Sequence, residues 1–176
     1  MAFLNEIVTK TDKLPSANET LNELRRYVIS SLHQTGGANE TRDGMDIAIC
    51  IIDFDKSNIE YAGAFNSLYQ IRDNELIEFR ADRMPIGVSF NQDKSFVNHL
   101  IDFRKDDTFY IFSDGFIDQF GGTDGKKFKS RQFKNLILSL QEQPMDIQEI
   151  ILHDRLLEWR GDIEQIDDIL VIGFKL

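Results

Sequence analysis

The chain has 176 residues, 41% of them hydrophobic, and a formal net charge of −10. That length supports one globular domain with a substantial core, and the excess of acid repels a nucleic-acid backbone, so no nucleic-acid partner is expected. No apolar run reaches the ~20 residues of a membrane span, no signal peptide precedes the first helix, and the single Cys50 cannot close an internal disulfide, so a cytoplasmic location is expected.

Phe3, Leu4, Ile7 and Val8 recur at helical spacing and predict a helix from Ala2 to Lys10, closed by the polar run before Pro15. Ser16 with Glu19 is a capping-box pattern. Behind it Leu21, Leu24, Val28 and Leu32 form one stripe, which predicts a helix from Ala17 to about His33, terminated by Gly36-Gly37. Met45 to Phe54 reads as a strand that is apolar on both faces. Met45, Ile47, Ile49 and Ile51 lie on one side, Ala48, Cys50 and Ile52 on the other, which calls for cover on both. Cys50 is expected to be a small core residue. Asp55 to Asn58 turns this strand into an antiparallel partner, Ile59 to Ala62. Leu68 to Arg72 and Glu75 to Phe79 form a second hairpin around Asp73-Asn74, and Phe96 to Phe103 alternates as a further strand. Lys105-Asp106-Asp107 then turns into the run ending at Phe112. Successive hairpins flanked by helices, rather than interleaved with them, define an α+β class.

That last run is the informative one. Phe109-Tyr110-Ile111-Phe112 is a buried-strand pattern that stops abruptly at Ser113-Asp114-Gly115, with Asp118 one helical turn beyond. A helical turn after Gly115 places Asp114 and Asp118 on one face. Two carboxylates about 4 Å apart repel by ~4 kcal/mol at an effective dielectric of about 20. A divalent cation relieves that repulsion. Taken alone, Ser-Asp-Gly is a plain turn. A second acidic pair, Asp167-Asp168, runs directly into the apolar stretch Ile169 to Phe174, and the two sites converge if their strands are neighbours. An all-oxygen donor set suits Mg²⁺ or Mn²⁺.

Between these strands, Gly121 to Lys127 reads as a surface loop, with a mobile flap over the acidic site as its functional alternative. Its Gly125-Lys126 fails the spacing of a phosphate loop. Two helices follow, Ser130 to Gln141 with the stripe Phe133, Leu136, Ile137 and Leu140, and Met145 to Trp159 with Ile147, Ile150, Ile151 and Leu157. Trp159 is a core or interface aromatic. His33, His99 and His153 share no ligand spacing. Asp53 to Ser57 matches the start of a calcium loop only partly and is read as a turn. Asp43 and Asp46 are candidates for the acidic region, although strand-edge surface positions are the simpler account.

Ser113-Asp114-Gly115-x-x-Asp118 together with the terminal Asp167-Asp168-Ile169 strand resembles the metal-dependent PPM (type 2C) serine/threonine phosphatases. The SpoIIE-like bacterial branch is the closer match. Asp43-Gly44-Met45-Asp46, Tyr61-Ala62-Gly63-Ala64-Phe65-Asn66 and Met84-Pro85-Ile86-Gly87 agree with that branch, and the resemblance covers nearly the whole chain. It implies a PPM α-β-β-α sandwich of two antiparallel sheets. It also implies two Mn²⁺ or Mg²⁺ ions and a metal-bridging hydroxide that attacks the phosphorus in line. The substrate it implies is a phosphoserine or phosphothreonine regulatory protein of the sigma-factor partner-switching type. By the same resemblance Asp114 and Asp167 ligate metal, Asp118 and Asp168 are auxiliary ligands, and Gly115 matters through its small size beside the ion. Asn66 lies near the turn where other PPM enzymes carry a further metal-binding Asp. The family's Gly-Asp-Phe strand and Asp-x-Thr/Ser-Gly-His-Gly motif do not occur in this sequence, so an N-terminally truncated, poorly active portion is expected. An exposed sheet edge then favours a homodimer. The alternative is a non-catalytic interaction domain that retains the phosphatase fold.

Overall fold

The computed structural model describes residues 2–9, 14–34, 44–89 and 93–176. The Gly36-Gly37 helix stop and the candidate carboxylate Asp43 lie outside the described residues. In chain order the elements are α1 (Ala2–Thr9), α2 (Ala17–Ser31), β1 (Ile47–Asp53), β2 (Asn58–Ala64), β3 (Leu68–Arg72), β4 (Glu75–Phe79), β5 (His99–Asp102), β6 (Thr108–Phe112), α3 (Gly115–Asp118), β7 (Phe120–Gly121), β8 (Lys126–Lys127), α4 (Ser130–Ser139), α5 (Met145–Arg160) and β9 (Val171–Lys175). They fall into two compact units, Met1–Leu68 with Phe79–Arg104, and Tyr69–Glu78 with Lys105–Leu176.

In the first unit the Ser16 N–H donates to Glu19 Oε2 at 2.9 Å, which starts α2 as the capping pattern predicts. Leu21, Leu24 and Val28 pack with Ala62, Ala64, Met84 and Ile86 in one core. Leu32 is exposed, because α2 ends at Ser31. The β1–β2 hairpin runs antiparallel from Ile47↔Ala64 to Asp53↔Asn58, and β5 continues the sheet through Tyr61↔His99. Asp53 fixes the hairpin turn by accepting the Lys56 N–H at 3.0 Å and its ammonium at 2.7 Å.

Two expectations need correcting here. Every residue of β1 is only partly buried, so the strand is not covered on both faces. It is the end strand of the order β1-β2-β5, with Ile47, Ile49 and Ile51 packed against the helical core and one edge unpaired among the described residues. Met45 belongs instead to an isolated bridge with Ile86. The strand expected over Phe96 to Phe103 shrinks to His99–Asp102 because α2 claims its first residues. The Phe96 N–H donates to Asn22 Oδ1 at 3.2 Å, and the Arg25 guanidinium lies 4.7 Å from its ring centre.

In the second unit a four-stranded sheet has the order β4-β3-β6-β9, with β6 and β9 antiparallel from Thr108↔Lys175 to Phe112↔Val171. Asp107, 2% exposed, receives the Gln70 amide at 2.9 Å and the Arg72 guanidinium at 2.9 and 2.6 Å, which ties the start of β6 to β3. A buried carboxylate persists only with such partners. Tyr110, Phe112 and Phe116 pack against Phe133, Ile137 and Leu140 of the α4 region and Leu152 of α5, so the predicted α4 stripe faces the core.

The predicted α5 stripe does so only through Ile151, which packs partly buried against this core. Ile147, Ile150 and Leu157 are exposed, and the buried positions are Gln148 and Leu152. The helix carries apolar side chains on both sides, so spacing alone does not choose its inner face. Gln148 chooses it, by bonding the Tyr110 hydroxyl and donating to Gln143 O at 2.9 Å. The terminal strand, expected to be buried, is the end strand of its sheet and leaves Ile172 exposed. Among the described residues no helix is long and apolar enough to cross a membrane.

Candidate metal centre

The β6–β9 register brings the two acidic segments together. Beyond Phe112↔Val171 the ladder continues, with the Ser113 N–H donating to Leu170 O at 3.0 Å. The Ser113 hydroxyl donates to Asp168 O at 2.8 Å and accepts the Leu170 N–H at 2.9 Å. Ser113 thus stitches the end of β6 to the residues that enter β9.

Asp114 follows as the exposed cap of α3, and its carbonyl accepts the Asp118 N–H at 2.9 Å. The helical turn expected after Gly115 is therefore present. Gly115 is buried against the Asp168 main chain, where a Cβ would stand 2.4 Å from the carbonyl oxygen. No side chain fits there, so only glycine lets the two strand ends approach this closely.

Across from it, Asp167 Oδ1 accepts the Asp168 N–H at 2.7 Å, and the Asp167 carbonyl accepts the Gln165 amide at 2.7 Å. These bonds hold the Asp167-Asp168 bend in one conformation while both residues stay exposed. Asp46 is exposed in the other unit, and Asn66 there offers its carbonyl to the Tyr61 hydroxyl at 2.7 Å.

Asp118 is not a bare carboxylate. The Lys127 ammonium donates to its Oδ2 at 2.7 Å, with the two side chains 43% and 38% exposed. A pair that exposed contributes about 0–1 kcal/mol, so it is readily exchanged. Lys127 was not singled out by the sequence, because the tract Gly121 to Lys127 reads as a loop. The structure corrects this to a tight β-hairpin, with Phe120↔Lys127 and Gly121↔Lys126 paired. The signal that would have found it is the pair Gly122 and Gly125, which punctuate a four-residue turn closed by the Gly125 N–H donating to Gly122 O at 3.2 Å.

Nor is its base a free flap, since Trp159 pins it. The Gly122 N–H donates to Trp159 O at 2.7 Å, the indole N–H donates to Gln119 O at 3.0 Å, and a Cβ on Gly121 would lie 1.9 Å from Trp159 O. Gln119 also donates to Glu164 O at 3.1 Å, which links α3, the hairpin and the approach to Asp167.

Asp114, Asp118, Asp167 and Asp168 offer hard oxygen donors only, a glycine cradle sits between their segments, and an ammonium stands in beside one of them. That donor chemistry fits Mg²⁺ or Mn²⁺. Among the described residues, however, no three His, Cys, Asp or Glu side chains gather closely enough to hold an ion, so what fits is a partial shell.

The combination of helices with antiparallel sheets matches PP2C-type phosphatase domains among solved structures. The SiaA-PP2C domain of Pseudomonas aeruginosa superposes with a TM-score of 0.87 at 27% identity, over 99% of this chain and 66% of that one. The RsbU and RsbW domains of Rv1364c from Mycobacterium tuberculosis give 0.72 at 16% identity, over 99% and 45%. The PPM Ser-Thr phosphatase MsPP from Mycobacterium smegmatis, in complex with cacodylate, gives 0.61 at 15% identity, over 99% and 81%. The last two show the fold alone. The chain thus spans just under two thirds of the SiaA chain and less than half of the Rv1364c chain. A comparison with curated proteins finds no match. The chain belongs to the Stage II sporulation protein E (SpoIIE) family, whose model matches residues 2–176.

Proposed function

We propose that this chain is the part of a metal-dependent protein serine/threonine phosphatase that grips its cations through Asp114 and Asp167, with Asp118 and Asp168 as auxiliary ligands. Gly115, with no side chain, lets the segments that carry them approach closely. The observation that carries this reading is the Ser113 stitch, which locks the Asp114 turn against the Asp167-Asp168 bend. Bound Mn²⁺ or Mg²⁺ supplies Lewis-acid charge and an acidified water for phosphomonoester hydrolysis. The chain's own residues fix the acceptor oxygens on rigid strand ends and exclude a side chain from the cradle. The substrate is a phosphoserine or phosphothreonine on a cytoplasmic regulatory protein.

With only a partial shell among the described residues, phosphate release by this chain alone is expected to be weak. The test is Mn²⁺-dependent hydrolysis of a phosphoserine peptide and of p-nitrophenyl phosphate. Weak release, abolished by chelator and by Asp114→Ala or Asp167→Ala, supports the reading. Release indifferent to all three contradicts it, and vigorous turnover contradicts the partial shell.

A second reading keeps the fold without turnover, as an interaction domain. The Lys127 ammonium already occupying Asp118 favours it. Under that reading Asp114→Ala leaves partner binding intact.

A further inference from the structure

We infer that Lys127 is a resident counter-ion that a divalent cation must displace from Asp118, so that the β7–β8 hairpin sets the cation threshold of the site. This rests on the reading of the acidic strand ends as a cation site. Three observations carry it. The Lys127 ammonium lies 2.7 Å from Asp118 Oδ2. Asp118 is set one helical turn from Asp114 by the 2.9 Å main-chain bond between them, which fixes the backbone that carries its carboxylate beside the lysine.

The lysine in turn is delivered by a strand whose position is determined. Lys127 pairs with Phe120, the following Phe128 N–H donates to Gln119 O at 3.0 Å, and the Lys129 N–H donates to Ile117 O at 2.7 Å. The backbone therefore stays where it is, and only the flexible side chain can leave. Its ammonium already lies 5.9 Å from the Phe120 ring centre, an aromatic face toward which it can swing when Asp118 is taken.

A positive charge and a divalent cation at one exposed carboxylate repel each other, so the two occupancies compete. Lys127 keeps the acidic turn neutralised when cation is scarce. It yields when cation is abundant, because a half-exposed ion pair is weak. Lys126 does not share this role, since it pairs with Asp124 at the hairpin tip.

The experiment is a calorimetric Mn²⁺ titration of the full chain and of the K127Q, K127R, D118N, D114N and K127Q/D118N variants, combined with amine-labelling mass spectrometry at Lys127 with and without Mg²⁺. K127Q is expected to bind Mn²⁺ about threefold more tightly or better, K127R to match the parent, and D118N to cancel the gain in the double variant. Labelling of Lys127 is expected to rise on adding Mg²⁺. Unchanged or weaker binding by K127Q overturns the inference, as does a gain that survives in K127Q/D118N or a labelling rate that ignores Mg²⁺. If D114N abolishes binding while K127Q changes nothing, the cation site stands and only the role of Lys127 falls. If D114N binds like the parent, or neither the parent nor K127Q binds Mn²⁺, both fall.

Discussion

Ser113 and Asp168 are joined by a 2.8 Å hydrogen bond from hydroxyl to carbonyl, across the open end of the β6–β9 pair. The same hydroxyl accepts the Leu170 N–H, so one side-chain oxygen holds both polar groups of the facing strand end. Replacing it by Ala leaves a carbonyl and an amide to water at an exposed position. Ser113→Ala should therefore cost only about 1–2 kcal/mol in urea unfolding, while loosening the Asp167-Asp168 bend and weakening Mn²⁺ binding. A loss of binding without any loss of stability would show that the serine acts on the ion directly rather than through the strand ends.

Gly115 gives a prediction whose sign is informative. Ala is favoured over Gly in a helix by roughly 1 kcal/mol, so a free α3 would gain from the change. Here the new Cβ would meet Asp168 O at 2.4 Å, and the contact involves backbone on both sides. Gly115→Ala should destabilise by about 1–3 kcal/mol and separate the acidic segments. A rise in the urea midpoint would mean that the two strand ends do not approach as described.

Much of the backbone that carries these carboxylates was legible before the structure. The turn after Gly115 and the hairpin pair of β3 and β4 follow from local patterns, and the convergence of Asp114 with the Asp167-Asp168 segment needed only that β6 and β9 be neighbours. What the sequence hid were properties that depend on tertiary partners. The inner face of α5 is decided by a buried Gln148 that bonds Tyr110, while Ile147, Ile150 and Leu157 of the predicted stripe point outward and Ile151 alone packs inward. The incomplete burial of β1 and β9 follows from their places at sheet ends, which strand composition does not encode. Lys127 stayed hidden because its importance arises from a hairpin pinned by Trp159, far along the chain.

Cys50 provides a pH test. Burial pushes its thiol from an ordinary value of 9.0 up to about 12. A thiol with a raised native value holds its proton longer in the folded state than in the unfolded one. Its contribution to stability is complete below the unfolded value and is lost as pH rises through the range between the two. Urea midpoints should therefore fall between about pH 9 and 12 more steeply for the parent than for Cys50→Ala. Cys50 is only partly buried, so thiol reagents at neutral pH should modify the native chain more slowly than the denatured one. Equal rates in the two states would contradict that partial burial.

Among the described residues β9 has a free edge, which predicts self-association. Leu170 pairs with Ser113, and the Leu176 N–H donates to Asp107 O at 3.0 Å, so the alternation of the ladder leaves the N–H and C=O groups of Val171, Gly173 and Lys175 facing outward. Leu170 and Ile172 are exposed beside them. A second copy pairing antiparallel along this edge satisfies those groups and covers the apolar side chains of both strands. Sedimentation should detect a concentration-dependent dimer that Ile172→Lys weakens. A monomer at the highest accessible concentration would rule this edge out as an interface.

The central claim is that the ends of β6 and β9 together grip a divalent cation. Calorimetric titration of Mn²⁺ into the intact chain, alongside Asp114→Asn and Asp167→Asn, tests it most directly. Binding that weakens tenfold or more, about 1.4 kcal/mol, in each variant is the expected result. Equal binding by all three chains would place any cation elsewhere and contradict the account.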